Sequence, residues 1–167
     1  MANNSKNQLD ETFVGKSAAD LGQLIAEQIK PIYQMIGVIV PVKSCSIIHA
    51  LAGVDKATLT ELAKQLQQSH QLIKQKIPKL LDLELIVVKQ DDADKRRMLY
   101  SLTTLGKQQA QLLRDHSMQA VYNNLSEEIN ADIYQVLNQA LTSLKAKDLF
   151  SRFQECGNDQ GRKSDPA

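Results

Sequence analysis

Between Thr58 and Thr103 the chain reads TLTELAKQLQQSHQLIKQKIPKLLDLELIVVKQDDADKRRMLYSLT, and few folds accommodate its order of local signals. Thr58-Leu59-Thr60-Glu61 fits a capping box, in which the Thr58 hydroxyl accepts from the Glu61 amide and the Glu61 carboxylate reaches back to the Thr58 amide. Leu62, Ala63 and Leu66 form the inward face of the helix that starts there, and Ala63 is small enough to let a second helix cross closely. Gln67-Gln68 supplies a polar turn, and Ser69 is a second N-cap. From His70 to about Leu83, Ile73, Ile77, Leu80 and Leu81 make one apolar stripe, while Gln71, Lys74, Gln75, Pro78 and Lys79 take the opposite side. Leu85–Val88 and Met98–Leu102 are β-prone runs, and the Lys89–Arg97 segment between them is too charged to bury, which suits a hairpin tip. Strands this short are marginal alone and must pack on the helices.

Two helices joined by a tight turn and followed by a two-stranded ribbon make a winged helix-turn-helix. The fold class expected is mainly α with a small β-wing, with long helices outside the winged part. At 167 residues, with 43% apolar and 4% aromatic residues and no Trp, the composition suits helices built on Leu, Ile, Val and Ala. No apolar run approaches the ~20 residues needed to span a membrane, and the polar N-terminus has no signal-peptide core, so a cytoplasmic protein without membrane partners is expected. Cys45 and Cys156 are far apart and form no ligand cluster or disulfide framework. Phosphate-cradling glycine loops, HExxH and GxSxG are absent, so no cofactor, metal or catalytic residue is assigned and an enzyme is not expected.

Along the rest of the chain, residues 1–17 are polar and aperiodic and read as a flexible arm. Residues 18–37 form an amphipathic helix with Leu21, Leu24, Ile25, Ile29, Ile32 and Ile36 on one face, bent by Pro31 and ending near Gly37. The winged part spans 38–102. Its first helix runs from Pro41 to about Ala52, with Ser44, Ile47, Ile48 and Leu51 inward and Gly53 as the C′ residue. Cys45 and His49 lie one turn apart there, and with no third ligand nearby they read as a packed thiol and a hydrogen-bonded imidazole. Residues 103–156 supply further helices: Thr103 caps one that runs through Val121, and Ser126 caps the next. Ile133, Val136, Leu137, Ala140, Leu141 and Leu144, continued by Leu149, Phe150 and Phe153, give an apolar stripe that needs a partner surface. Residues 157–167 read as a disordered tail.

The net charge of +1 conceals a local cluster. From Ser69 to Leu81 there is no acidic residue, while Lys74, Lys76 and Lys79 are positive. A Gln amide pairs with adenine N6 and N7, and a Lys donates to guanine or phosphate. Gln71, Lys74 and Gln75 are therefore assigned to base edges, with Ser69, His70 and Lys79 nearer the backbone and Lys76 lateral. At the tip, Lys95, Arg96 and Arg97 reach a minor groove or its phosphates, and Asp94 is expected to orient Arg96 through an ion pair. A solvated helix face and a self-neutralised surface loop are the plain alternatives.

The segment from the Pro41 helix to Lys107 resembles the winged helix-turn-helix of MarR-type bacterial transcription regulators. The likeness rests on Thr58–Ala63 as T-x-x-E-L-A, Ser69, Leu85-Ile86, the Asp91–Arg96 wing and Leu102-Thr103-Thr104-Leu105-Gly106 as L-T-x-x-G, in matching order. The chain departs from the family pattern at Gln67 and Glu84, where glycine is usual, at Leu72, Lys74 and Gln75 on the recognition helix, and at Pro78. A left-handed Glu84 costs of order 1 kcal/mol relative to glycine. The resemblance implies a homodimer formed by the first and last helices, with recognition helices about one duplex turn (~34 Å) apart on a pseudo-palindromic operator in double-stranded DNA. It further implies a repressor released by a small aromatic or phenolic effector, for which Tyr33, Ile36, His49 and His116 are candidate pocket residues. A winged-helix protein-interaction module without DNA binding and a thiol-based redox sensor are the alternative readings. For the second, the family's sensing cysteine sits on the first helix, where this chain has none.

Overall fold

The spacing of apolar residues places the first helix, and a left-handed glycine ends it. In the computed structural model, which describes residues 13–161, α1 runs over Val14–Ile36 with Pro31 inside it, and Gly37 closes it at φ 76°. A 3-10 turn (Val42–Ser44) leads into α2 (Cys45–Ala52), and then come β1 (Ala57–Thr58), α3 (Leu59–Leu66), α4 (His70–Asp82), β2 (Ile86–Gln90), β3 (Met98–Leu102) and α5 (Thr104–Asp115). The remaining helices are α6 (Gln119–Glu128), α7 (Ile133–Ala146) and α8 (Leu149–Gly161). Among the described residues, no helix is long and apolar enough to cross a membrane. The chain divides into two compact units after His116, so α1 and α5 belong to the same unit as the winged part.

The first unit is built around Ile47, Ile48 and Leu51 of α2, Leu62 of α3, Ile73 and Leu80 of α4, and Leu85-Ile86 at the entry to β2, all fully buried. The sheet has the order β1-β3-β2 and is antiparallel throughout, with Val88 opposite Tyr100 and Ala57 on the other side of Tyr100. The two-residue β1 is a strand that the sequence reading lacks, because two residues carry no periodicity. It gives the wing a third strand and fixes it to the start of α3.

Four helices end in the same way. After α1, α3, α4 and α6, the residues Gly37, Gln67, Glu84 and Asn130 have φ of 76°, 51°, 54° and 53°. In each case the next amide reaches back to a carbonyl five residues earlier, as Leu85 does to Leu80 at 3.0 Å and Gln68 to Ala63 at 3.0 Å. This is the Schellman arrangement, for which glycine is the usual left-handed residue. Gln67 and Glu84 occupy that conformation despite their Cβ atoms.

Several boundaries differ from the sequence reading. The first helix starts at Val14, not at residue 18, and residues 1–12 of the expected flexible arm lie outside the described residues. Gly53 ends α2 at φ −87°, without the left-handed turn expected of a C′ glycine. The helix expected to run from Thr103 to Val121 breaks after Asp115 into α5 and α6. The Ser126 hydroxyl does not cap a helix start: it donates to the Tyr122 carbonyl inside α6 and accepts from the Ile133 amide, whereas Asp132 caps α7. Helix α8 continues to Gly161, past the expected start of the tail at 157, and residues 162–167 lie outside the described residues.

In the second unit, Val136, Leu137, Leu141 and Leu144 on α7, and Leu149, Phe150 and Phe153 on α8, are exposed. The apolar stripe read from the sequence is thus present, and these side chains of it are exposed among the described residues.

Candidate nucleic-acid interface

The face opposite the core stripe of α4 is built by its cap. Ser69 has extended backbone, and its Oγ accepts from the Leu72 amide at 3.2 Å, which satisfies one of the free amides of the first turn. Ile73, Ile77 and Leu80 are buried, whereas Ser69, His70, Gln71, Leu72, Lys74, Gln75, Pro78 and Lys79 are exposed. All six residues assigned to the recognition helix therefore lie on solvent-facing positions of one element. Pro78 is on the outward side and, lacking an amide hydrogen, cannot donate to the Lys74 carbonyl one turn before it.

Lys76 has a different task. It is part-buried and donates to the Gln68 side-chain oxygen at 3.0 Å, and burial, with nearby Lys43, pulls its ammonium below the usual lysine range. It braces the turn between α3 and α4, in keeping with a lateral position.

The wing departs from the sequence reading in one instructive way. Asp94 does not pair with the Arg96 guanidinium: its carboxylate accepts from the Arg96 backbone amide at 3.0 Å, while its carbonyl accepts from the Arg97 amide at 2.9 Å. An aspartate side chain bonded two residues ahead closes a turn, and Asp91 does the same to the Ala93 amide at 3.0 Å. The acidic residues shape the tip. Lys95 pairs with Asp92 at 3.2 Å on the surface, and Arg97 lies between Asp91 (3.8 Å) and Glu61 (3.3 Å). Arg96 is exposed and makes no side-chain ion pair among the described residues. Of Lys95, Arg96 and Arg97, Arg96 is the one without a side-chain ion pair among the described residues, and Arg97 is the one that fixes the wing to α3.

Glu61 carries both ends of that connection. Its Oε2 accepts from the Thr58 amide at 2.7 Å and its Oε1 from Arg97. The Thr58 bonds, then the Arg97 charge, hold its carboxyl below the usual glutamate range.

Of the four candidate effector residues, Tyr33 lines a cleft of about 440 Å³, with Val38, Val40, Pro41, Lys30 and Lys43 among its other walls. Ile36 packs on the core instead, and His49 and His116 are exposed on the surface, so the structure does not bring the four together in this cleft. The hydrogen-bonded imidazole expected at His49 is absent: the ring makes no hydrogen bond to a described residue. The Cys45 thiol is packed as expected, 3.4 Å from the Tyr33 hydroxyl and 3.6 Å from the Pro41 carbonyl, and burial pushes its pKa up. Both cysteines are free, and no metal-binding group of His, Cys, Asp or Glu occurs among the described residues.

Gln109 was not singled out in the sequence, yet it is the buried side chain that joins α5 to the end of α1. Its Oε1 accepts from the Ile39 amide at 2.8 Å and its Nε2 donates to the Gly37 carbonyl at 3.1 Å. A glutamine on an amphipathic helix carries no sign of such a role. Gly106, the glycine of the L-T-x-x-G stretch, has a reason visible only in the fold: a Cβ there would lie 1.9 Å from the Leu85 carbonyl oxygen.

Neither a protein-family model nor a curated protein matches the chain by sequence. Solved structures do match it by fold. A MepR-like protein complexed with pseudoligands superposes with a TM-score of 0.60 at 18% identity, covering 84% of this chain and 96% of its own. Reduced AbfR bound to DNA superposes with a TM-score of 0.58 at 17% identity, over 80% of this chain and 92% of its own. The reduced form of MarR from E. coli gives 0.55 at 17% identity, over 78% and 95%. The chain therefore has the winged helix-turn-helix fold of the MarR-type structures, with the small three-stranded sheet as its wing.

Proposed function

We propose that the protein is a sequence-specific, double-stranded DNA-binding transcription regulator, acting as a homodimer on a pseudo-palindromic operator, and that it is a repressor. The observation that carries the reading is the exposed face of α4, which holds Gln71, Lys74, Gln75 and Lys79 without one acidic residue from Ser69 to Leu81. Amides and ammonium groups in that arrangement match base edges and phosphates in a major groove. The exposed Arg96 at the wing adds a cation for the minor groove or its phosphates. Fold alone does not assign function, so the argument rests on these side chains. One of the fold neighbours is bound to DNA, which is consistent with it.

The homodimer is supported by the uncovered apolar residues of α7 and α8, from Val136 to Phe153. Light scattering should give twice the 18.6 kDa chain mass. The small aromatic or phenolic effector is assigned to the cleft at Tyr33, where apolar walls meet Lys30 and Lys43. A redox role for Cys45 is not favoured, since burial raises the pKa of this part-buried thiol and so lowers its reactive thiolate fraction. The direct test is binding of a labelled random duplex at increasing salt. Six or more phosphate contacts imply a fall in affinity of about a thousandfold between 50 and 200 mM, and no salt-dependent binding at micromolar protein would remove the proposal.

A further inference from the structure

We infer that Leu72 reads a thymine methyl group, and so fixes one base pair of each half-site through an apolar contact. The inference rests on the DNA-binding reading of α4 and goes beyond the polar residues assigned above. Leu72 is the third residue of α4 and is 48% exposed. It lies outside the core cluster, which takes Ile73, Ile77 and Leu80 from the same helix. At 3.6 residues per turn it stands one turn before Gln75 and two before Lys79, among the side chains that face solvent.

An exposed leucine is by itself ordinary. Three features distinguish this one. Its neighbours in the first turns of the face, Gln71, Lys74 and Gln75, are polar or cationic, so it is an isolated apolar group among side chains that can hydrogen-bond. Its backbone amide is bonded to the Ser69 hydroxyl at 3.2 Å, which fixes its Cα at the start of the helix. Residues in the first turns of a recognition helix are those that reach base edges. In the major groove the C5 methyl of thymine is the apolar group presented, and it distinguishes thymine from cytosine. Burying a branched aliphatic end against that methyl removes apolar surface from water on both partners. A base pair lacking the methyl leaves Leu72 facing a polar edge.

The experiment uses the full chain and a duplex selected by it from a random pool. Each thymine of the selected site is replaced in turn by deoxyuridine, which removes only the C5 methyl. For the wild-type protein we expect a loss of about threefold to tenfold in affinity at one thymine per half-site and little change at the others. Leu72→Ala should bind the thymine and deoxyuridine duplexes equally at that position. Should the wild-type protein select a site tightly yet tolerate deoxyuridine everywhere, the Leu72 contact is wrong while the DNA-binding reading stands. A methyl effect that persists in Leu72→Ala overturns it too, by assigning the methyl to another side chain. Failure to enrich any sequence removes the inference together with the function beneath it.

Discussion

The Glu61 carboxylate accepts a hydrogen bond from the Arg97 guanidinium at 3.3 Å, across 36 positions of sequence, while its other oxygen caps α3. One side chain thereby ties the helix that precedes the recognition helix to the base of the wing. Because its pKa is lowered in the fold, first by the Thr58 bonds, its contribution to stability is present above the unfolded glutamate pKa of about 4.3 and is lost as pH falls through the lower folded value. Urea midpoints of wild type and Glu61→Gln should therefore differ at pH 7 and converge as pH falls below 4. Parallel curves at all pH values would show that the carboxylate is not coupled to folding.

Gly106→Ala should destabilise by about 3 kcal/mol or more, because the added Cβ meets a backbone oxygen that cannot rotate aside. Equilibrium urea denaturation measures this. A change below 1 kcal/mol would mean that α5 slides away from Leu85 at little cost.

Gln67→Gly and Glu84→Gly should each stabilise, by roughly 0.5–1 kcal/mol, since a left-handed residue with a Cβ costs about 1–2 kcal/mol and glycine returns part of that gain as unfolded-state entropy. Thermal melts of the single and double variants, with additive gains, are the check.

Replacing Gln109 by leucine should cost about 2–4 kcal/mol, since it leaves the Ile39 amide and the Gly37 carbonyl without their partner. Amide exchange at Ile39 should rise in that variant well before exchange in α4 does.

On DNA, Arg96→Ala should weaken binding across sequences and reduce the salt slope by about one, whereas Gln71→Ala should change which base is preferred. Competition titrations with single-base variants of a selected site separate the two. Equal, sequence-blind losses would remove Gln71 from the base-reading set.

Short-range signals were legible in the sequence because they are short-range. The capping box at Thr58, the Ser69 cap, the stripe Ile73-Ile77-Leu80 and the hairpin all formed where local spacing placed them. Gln67 and Glu84 stood out as departures from a glycine pattern, and their φ angles show why glycine is usual there. The role of Gln109 stayed hidden because its partners are distant in sequence. Nothing near Gln109 announces Gly37, 72 positions earlier. The Asp94 reading failed because an acid beside an arginine looks like an ion pair, whereas the nearer backbone amide is the acceptor's actual partner. The four effector candidates were chosen by residue type, which says nothing of whether they share a wall, and only Tyr33 lines the cleft.

The contact between α5 and Leu85 at Gly106 joins main chain to main chain. Side chains can change rotamer and absorb a displacement; a peptide group cannot. Leu85 lies three residues after the end of α4 and immediately before β2, and the Thr103 amide donates to its carbonyl at 3.1 Å. Helix α5, the wing and the end of α4 therefore meet at one peptide group, with no side chain between α5 and Leu85 to take up a shift of the helix start.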